Sequence, residues 1–165
     1  MEIRTATIQD IDEIERIYAA ARQTMRESGN ASQWVNGYPQ RTLIENDIAA
    51  GELFLIEERG HPCAVFMLSL EDDPTYREID GVWLNDEPYG VIHRIGSDGT
   101  ATGILGAALD FAFARIADVR IDTHRNNSIM RHLLQKAGFA ECGTIFCHDG
   151  SPRIAFHRRR PGTAN

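Results

Sequence analysis

From Ile3 to Ile8 apolar and polar residues alternate, the period-two pattern of a strand with one buried face. Thr7 can then cap a helix by accepting from a free backbone N–H, with Asp10, Asp12 and Glu13 near its positive end. Ile11, Ile14, Ile17, Tyr18 and Ala21 fall on one stripe of that helix, which runs out by Ser28-Gly29-Asn30. Tyr38-Pro39 opens a second helix, since proline suits a first turn. Leu43, Ile44 and Ile48 form its apolar face, and Gly51 is its left-handed stop. Residues 52–57 and 62–70, joined by Glu58-Arg59-Gly60-His61, read as a hairpin. Residues 71–88 form an acidic connection that contains Tyr76 and Trp83. Residues 91–95 read as a strand, 97–102 as a small polar loop, and 103–116 as a helix with Ile104, Ala108, Phe111 and Ile116 in its apolar set. A short strand follows at 119–123. Asn126 or Asn127 caps a further helix whose Met130, Leu133 and Leu134 face inward and which Gly138 stops. Residues 139–147 and 153–157, around the turn at 148–151, form a last hairpin.

The strand-helix-strand unit at mid-chain implies a parallel pair, and the hairpins on either side imply antiparallel pairs. The expected fold class is α/β (α+β), one mixed and mostly antiparallel sheet flanked by helices, with no repeat or second domain. A single domain is expected over 1–158, with 159–165 as a disordered polar tail.

Composition narrows the class without naming a chemistry. A chain of 165 residues, 42% hydrophobic and 25% charged, can bury an ordinary core. Its formal net charge of -7 argues against a nucleic-acid or anionic-membrane partner, each of which needs a basic face. Cys63, Cys142 and Cys147 are odd in number and irregular in spacing, a poor disulfide framework; Cys63 and Cys142 lie in apolar stretches and read as buried thiols in a reducing compartment. The first residues lack a charged-then-apolar leader, and no apolar run approaches the ~20 residues that span a bilayer. The expectation is a cytoplasmic protein with no membrane partner.

The most informative stretch is 90–106, where a strand enters a small-residue loop that enters a helix. Such a loop can turn several backbone N–H groups toward one point, and the helix start adds unpaired N–H groups and partial positive charge. Together they form an anion site suited to a pyrophosphate, here centred on 97–106. The bland alternative is a tight strand-to-helix turn with no ligand.

Residues 90–156 resemble the second half of a GNAT-superfamily N-acetyltransferase. They are similar to a bacterial subgroup with an HRI-small-S loop, then RIDTH-x-x-N-x-x-M and GF-x-x-CG. The matching residues are His93-Arg94-Ile95-Gly96-Ser97, Arg120-Ile121-Asp122-Thr123-His124 with Asn127 and Met130, and Gly138-Phe139 with Cys142-Gly143. Gly29-Asn30, Gln33-Trp34, Gly37-Tyr38-Pro39, Asp73-Pro74-Thr75-Tyr76 and Trp83-Leu84 resemble the subgroup's acceptor-side segments. The resemblance implies acetyl-CoA as co-substrate, bound where two central parallel strands splay apart. It implies backbone pairing of the pantetheine arm near Ile95 and Ser97, and a pyrophosphate cradle of Gly99, Thr100, Ala101, Thr102, Gly103 and Ile104. It also implies a cofactor contact from Asn127. Members are often homodimers, though nothing in the sequence fixes an interface. The superfamily loop places an arginine or glutamine and small residues where this chain has Thr100, Gly103 and Leu105. Leu134 stands where a thiolate-protonating tyrosine is common.

An amine must be neutral to attack a thioester, so a base or water chain is needed, and a backbone N–H would stabilise the charge that builds on the thioester oxygen. No covalent enzyme intermediate is required, so cysteine is not the expected nucleophile. Three candidates for the proton path lie on the central strands: His124, favoured for its near-neutral titration, Asp122 on the same strand face, and His93 on the adjacent strand. The alternative for each is an internal hydrogen-bond network that holds the sheet. Trp34, Tyr38, Tyr76 and Trp83, with Asn30, are the candidate walls of an acceptor pocket for a small amine or a peptide. No histidine, cysteine or carboxylate spacing suits a metal. Two other functions compete. A dinucleotide binder would place its glycine loop near the start of the chain, which this sequence does not. An acyl-CoA-binding module without catalysis would share the loop but not the turnover.

Overall fold

Alternating residues at the N-terminus form strand β1 (Glu2–Thr5), paired antiparallel with β2 (Leu53–Glu58) in a computed structural model that describes residues 1–162. Helix α1 (Ile11–Glu27) buries the five stripe residues read from its period. Thr7 stands at the N-cap of the 3-10 turn Ile8–Asp10 that leads into it, in a capping box with Asp10. Asp10 is the acceptor, taking the Thr7 N–H at 2.8 Å on one oxygen, while Arg4 forks across both. Helix α2 (Arg41–Ala49) begins two residues after Pro39, which lies in the turn before it. Strand β3 (His61–Ser69) completes the first hairpin.

The acidic connection is more structured than its composition suggests. It holds a short 3-10 turn at Pro74–Tyr76 and a two-residue strand, β4 (Asp80–Gly81). Strands β5 (Gly90–Ser97) and β6 (Asp118–Thr123) flank helix α3 (Ile104–Phe113). Helix α4 (Ser128–Lys136) is capped by Asn127, whose Oδ1 accepts the Met130 N–H at 3.1 Å, and precedes Gly138 in the left-handed region. Strands β7 (Ala140–Phe146) and β8 (Pro152–Arg159) close the chain.

Among the described residues eight strands join one sheet in the order β1-β2-β3-β5-β6-β8-β7-β4. In it β5 and β6 run parallel, the other pairs run antiparallel, and β8 inserts between β6 and β7. Successive strand residues face opposite sides, so α3 packs over Ile92, Phe66 and Ile121 on one face while α1 packs over Leu55 and Val65 on the other. A third cluster, with Tyr76, Tyr89, Val91, Ile145 and Ala155, sits under the connection between β3 and β5.

Three expectations are corrected. Leu133 is 38% exposed, because the inward face of α4 is narrow and Leu134 occupies it. Cys142 is half-buried rather than core. The tail is held to Arg160: β8 extends to Arg159, and Arg160 donates its backbone N–H to Ala117 O at 2.7 Å and its guanidinium to Phe113 O. Of the expected disordered tail, 163–165 lies outside the described residues. Among the described residues no helix is long and apolar enough to cross a membrane.

Candidate active site

The site arises where the sheet fails to stay paired. Strands β5 and β6 are in register at Gly90–Val119 and Val91–Arg120 and nowhere beyond, because β3 holds β5 on one side while β8 holds all of β6 on the other. One residue lies between Val65 and Met67 on β3, but two lie between their partners Gly96 and His93 on β5. This bulge puts Arg94 at φ +50, an unfavourable conformation for a bulky residue, and bends the strand. Residues 91–95 line one cleft of about 770 Å³, with the bulge at Arg94 among them. Tyr18 pins the bulge by donating its hydroxyl to Arg94 O at 2.8 Å.

On the floor of the cleft His93 and Asp122 meet. His93 Nε2 lies 2.7 Å from Asp73 Oδ2, and its Nδ1 lies 3.8 Å from Asp122 Oδ2. Asp122 Oδ2 also accepts the Tyr76 hydroxyl at 2.7 Å. Burial and the neighbouring Asp122 both drive the Tyr76 phenol well above its ordinary value, so it stays a donor.

His124 is not part of this group. It stands just past β6, outside the cleft lining, with Nδ1 accepting the Asn126 N–H at 3.0 Å and Nε2 3.3 Å from Ser32 Oγ. Burial, then Arg153 and Arg125, lower its pKa, which keeps it neutral with its proton on Nε2. Its strand-face partnership with Asp122 ends with the strand itself, since Thr123 is the last residue of β6.

Of the expected acceptor walls, Trp34 and Tyr38 line the cleft and touch each other edge to face. Asn30 is buried behind them, donating to Gln33 Oε1 at 3.0 Å. The same oxygen takes Asn127 Nδ2 at 3.1 Å, so Gln33 ties the α1–α2 segment to the start of α4 across the mouth of the splay. Tyr76 and Trp83 are not walls. Tyr76 is 1% exposed and reaches the cleft only through Asp122, while Trp83 donates to Tyr76 O and stacks on Arg120, whose guanidinium is sandwiched between Trp83 and Tyr89. Wide aromatic side chains in a loop signalled a pocket, but here Trp83 with Tyr89 shields a cation that β6 carries inward, and Tyr76 holds Asp122.

In the loop after β5, Ser97 Oγ takes the Gly99 N–H and Asp98 Oδ1 takes the Thr100 N–H, so those two donors are used internally. The Asp98 carboxylate is also paired with Arg16 at 3.1 Å. Ala101 and Thr102 lead to Gly103, which caps α3 at φ +76. The first helical hydrogen bond from this cap is Ala107 N–H to Gly103 O, which leaves the N–H groups of Ile104, Leu105 and Gly106 at an open helix start. A side chain at Gly99, Gly103 or Gly106 would meet nothing within 4 Å. Leu105, bulky where a small residue is usual, turns into the core and leaves the loop clear.

The sequence places Gln33 and Asp73 only as members of acceptor-side segments, with no partner for either, and gives no role to Asp47. Asp73 before Pro74 signals a turn cap, which it is, and nothing in that signal tells of His93. Asp47 looks like one polar residue on an amphipathic helix, yet it is buried and binds Arg94 through two bonds of 2.8 Å. Among the described residues no cluster of His, Cys, Asp and Glu could hold a metal ion.

No protein-family model and no curated protein matches the chain. Solved structures do. An acetyltransferase of the GNAT family from Streptococcus agalactiae 2603 shares 30% identity at a TM-score of 0.86, covering 96% of this chain and 95% of its own. A GNAT-family acetyltransferase from Listeria monocytogenes 4b F2365 is 20% identical with a TM-score of 0.71, covering 96% and 94%. A ribosomal-protein-alanine N-acetyltransferase from Brucella melitensis is 17% identical with a TM-score of 0.60, covering 97% and 100%. The last two likenesses bear on the fold alone.

Proposed function

This chain belongs to the GNAT family of acetyltransferases, and from that premise we propose that it moves an acetyl group from acetyl-CoA directly to a primary amine. The observation that carries this reading is the parting of β5 and β6 beyond Val91 and Arg120, with the cleft at its mouth. A pantetheine arm laid along the freed edge of β5 would pair with backbone groups near Ile95 and Ser97. The open N–H groups at the start of α3 favour a pyrophosphate there, and the glycines leave it room. Asn127 borders the same cleft. Bound acetyl-CoA supplies an acetyl carbon already activated as a thioester.

On the acceptor side Trp34 and Tyr38 enclose the amine's carbon skeleton. The Asp122 carboxylate holds its ammonium, and His93 takes one of its protons. The neutral nitrogen then bonds to the carbonyl carbon as the carbon–sulfur bond breaks, with a backbone N–H of the bulged strand facing the oxygen. One proton passes to solvent in the net reaction. Leu134 is fully buried, so the departing thiolate is protonated by water or by a proton released from the amine.

Gly103→Glu sets a carboxylate and bulk against the phosphates. We expect its affinity for CoA by calorimetry to fall at least tenfold below that of Gly103→Ala, which shares the backbone strain of a non-glycine residue at positive φ. Equal affinities would sink the placement. CoA release with a panel of primary amines tests turnover; normal CoA binding with no release from any amine would leave an acyl-CoA-binding module instead.

A further inference from the structure

We propose that Asp73 is a positioning residue that fixes the tautomer of His93, so that the bare Nδ1 and the Asp122 carboxylate together receive a protonated primary amine. The proposal rests on the reading of His93 as the group that takes the amine proton.

A carboxylate only accepts, so the 2.7 Å contact between Asp73 Oδ2 and His93 Nε2 places the imidazole proton on Nε2 and leaves the lone pair on Nδ1. Asp73 cannot turn away. Its other oxygen, Oδ1, receives both the backbone N–H of Thr75 at 2.9 Å and the Thr75 hydroxyl at 2.7 Å. Burial pushes the Asp73 carboxyl up, but the bonds from His93 and Thr75 outweigh it and hold the group well below the usual carboxylate range. Asp73 is therefore a fixed negative charge behind the ring.

In front of the ring, Nδ1 and Asp122 Oδ2 stand 3.8 Å apart. Both are acceptors, so they cannot bond to each other while His93 is neutral. Asp122 Oδ2 already has one donor, the Tyr76 hydroxyl, which cannot turn from it because the ring is fully enclosed. A group with two N–H donors bonds both atoms at once, and a primary ammonium is such a group. The N–H bond facing Nδ1 then breaks with its electron pair left on the amine nitrogen, and the proton goes to Nδ1. The resulting imidazolium lies between Asp73 and Asp122. The other charges nearby, Arg94 and Asp47, neutralise each other through their two-pronged bond.

The arrangement makes an unusual demand on substitutions at position 73. In Asp73→Asn the two Thr75 donors keep the amide oxygen, so the NH₂ faces His93 and donates to Nε2. The imidazole proton must then sit on Nδ1, where it bonds Asp122 and closes the amine site. Asp73→Ala lets the ring choose. Hence Asp73→Asn should lose roughly 10²–10⁴-fold in turnover, the full worth of a base, and Asp73→Ala should lose less. A purely structural Asp73 gives the reverse order, because asparagine keeps the size and the Thr75 turn.

Nitrogen-15 NMR of the His93 ring, recorded without substrate, reads the tautomer independently of activity. The expected result is Nε2–H in the native protein and Nδ1–H in Asp73→Asn. A native ring protonated on Nδ1 overturns the proposal without any variant, and so does a ring that keeps Nε2–H in Asp73→Asn. A tautomer that shifts while turnover on the best amine holds steady overturns His93 as the proton acceptor. Acetyl transfer itself then still stands or falls on CoA release by the native protein.

Discussion

His93 lies on β5 and His124 just past the end of the adjacent β6, and their ring nitrogens meet different partners. His93 presents Nε2 to a carboxylate, which leaves Nδ1 open toward the cleft. His124 has both nitrogens engaged, by a backbone N–H and by Ser32. A lone pair already taken by an N–H cannot remove a proton from an amine. We therefore expect His93→Ala to lower turnover by about 10²–10⁴-fold with CoA affinity unchanged, and His124→Ala to stay within a few-fold of native. Parallel turnover and CoA-binding measurements on the two variants check this; an equal loss in both would return His124 to the proton path. Ordinary histidine titration favours His124 from sequence, whereas the hydrogen bonds of the folded chain leave Nδ1 of His93 open toward the cleft, which intrinsic pKa does not show.

Among the elements, the two-residue strand β4 does more than its length suggests. It docks the 71–89 segment, which carries Asp73 and Tyr76, onto the far edge of the sheet at β7. The docking depends on close backbone approach between Gly81 and Gly143. A Cβ on Gly143 would run into the Asp80 carbonyl, and one on Gly81 into the Cys142 carbonyl. Gly143→Ala should therefore part β4 from β7, with a cost of about 1–3 kcal/mol from overpacking. It should show as a lower urea midpoint together with lost turnover, since Asp73 and Tyr76 lose their support. Full activity in a destabilised Gly143→Ala protein would mean that the connection holds itself without the edge strand. Periodicity could not reveal β4, because two residues carry no period and Asp-Gly reads as a turn.

Over the whole molecule, the cleft depends on helices from the N-terminal half being locked to strands from the C-terminal half. The links include the Tyr18 hydroxyl on α1 to Arg94 O, Asp47 on α2 to the Arg94 side chain on the β5 bulge, and Gln33 of the segment between α1 and α2 to Asn127 at the start of α4. Both members of the Asp47–Arg94 pair are buried, with side-chain exposures of 9% and 12%. Removing one partner strands a charge, so Asp47→Ala should cost about 3–5 kcal/mol. Replacing both by leucine should recover much of that stability while losing the acceptor-side geometry. Denaturant unfolding of the single and double variants, alongside turnover, separates the two effects. A double variant as unstable as the single one would show that packing, rather than the stranded charge, sets the cost.

What the sequence determined by itself is what short-range periodicity and local chemistry encode. The α1 stripe, the hairpin turns, an asparagine cap at 126 or 127, the stop at Gly138 and the small-residue loop before α3 all follow from neighbours within a few positions, where side-chain spacing and backbone preference act directly. The resemblance to the GNAT superfamily was legible there too, and the solved structures support it at that level. What only the tertiary structure decided is everything that joins distant segments. The insertion of β8 between β6 and β7, the bulge of β5 beside the cleft, and the meeting of Asp73, His93, Asp122 and Tyr76 have no local signature. Each is fixed by pairing across the sheet and by burial, and a polar residue shows its role only once burial has dictated which partner its hydrogen bonds must find.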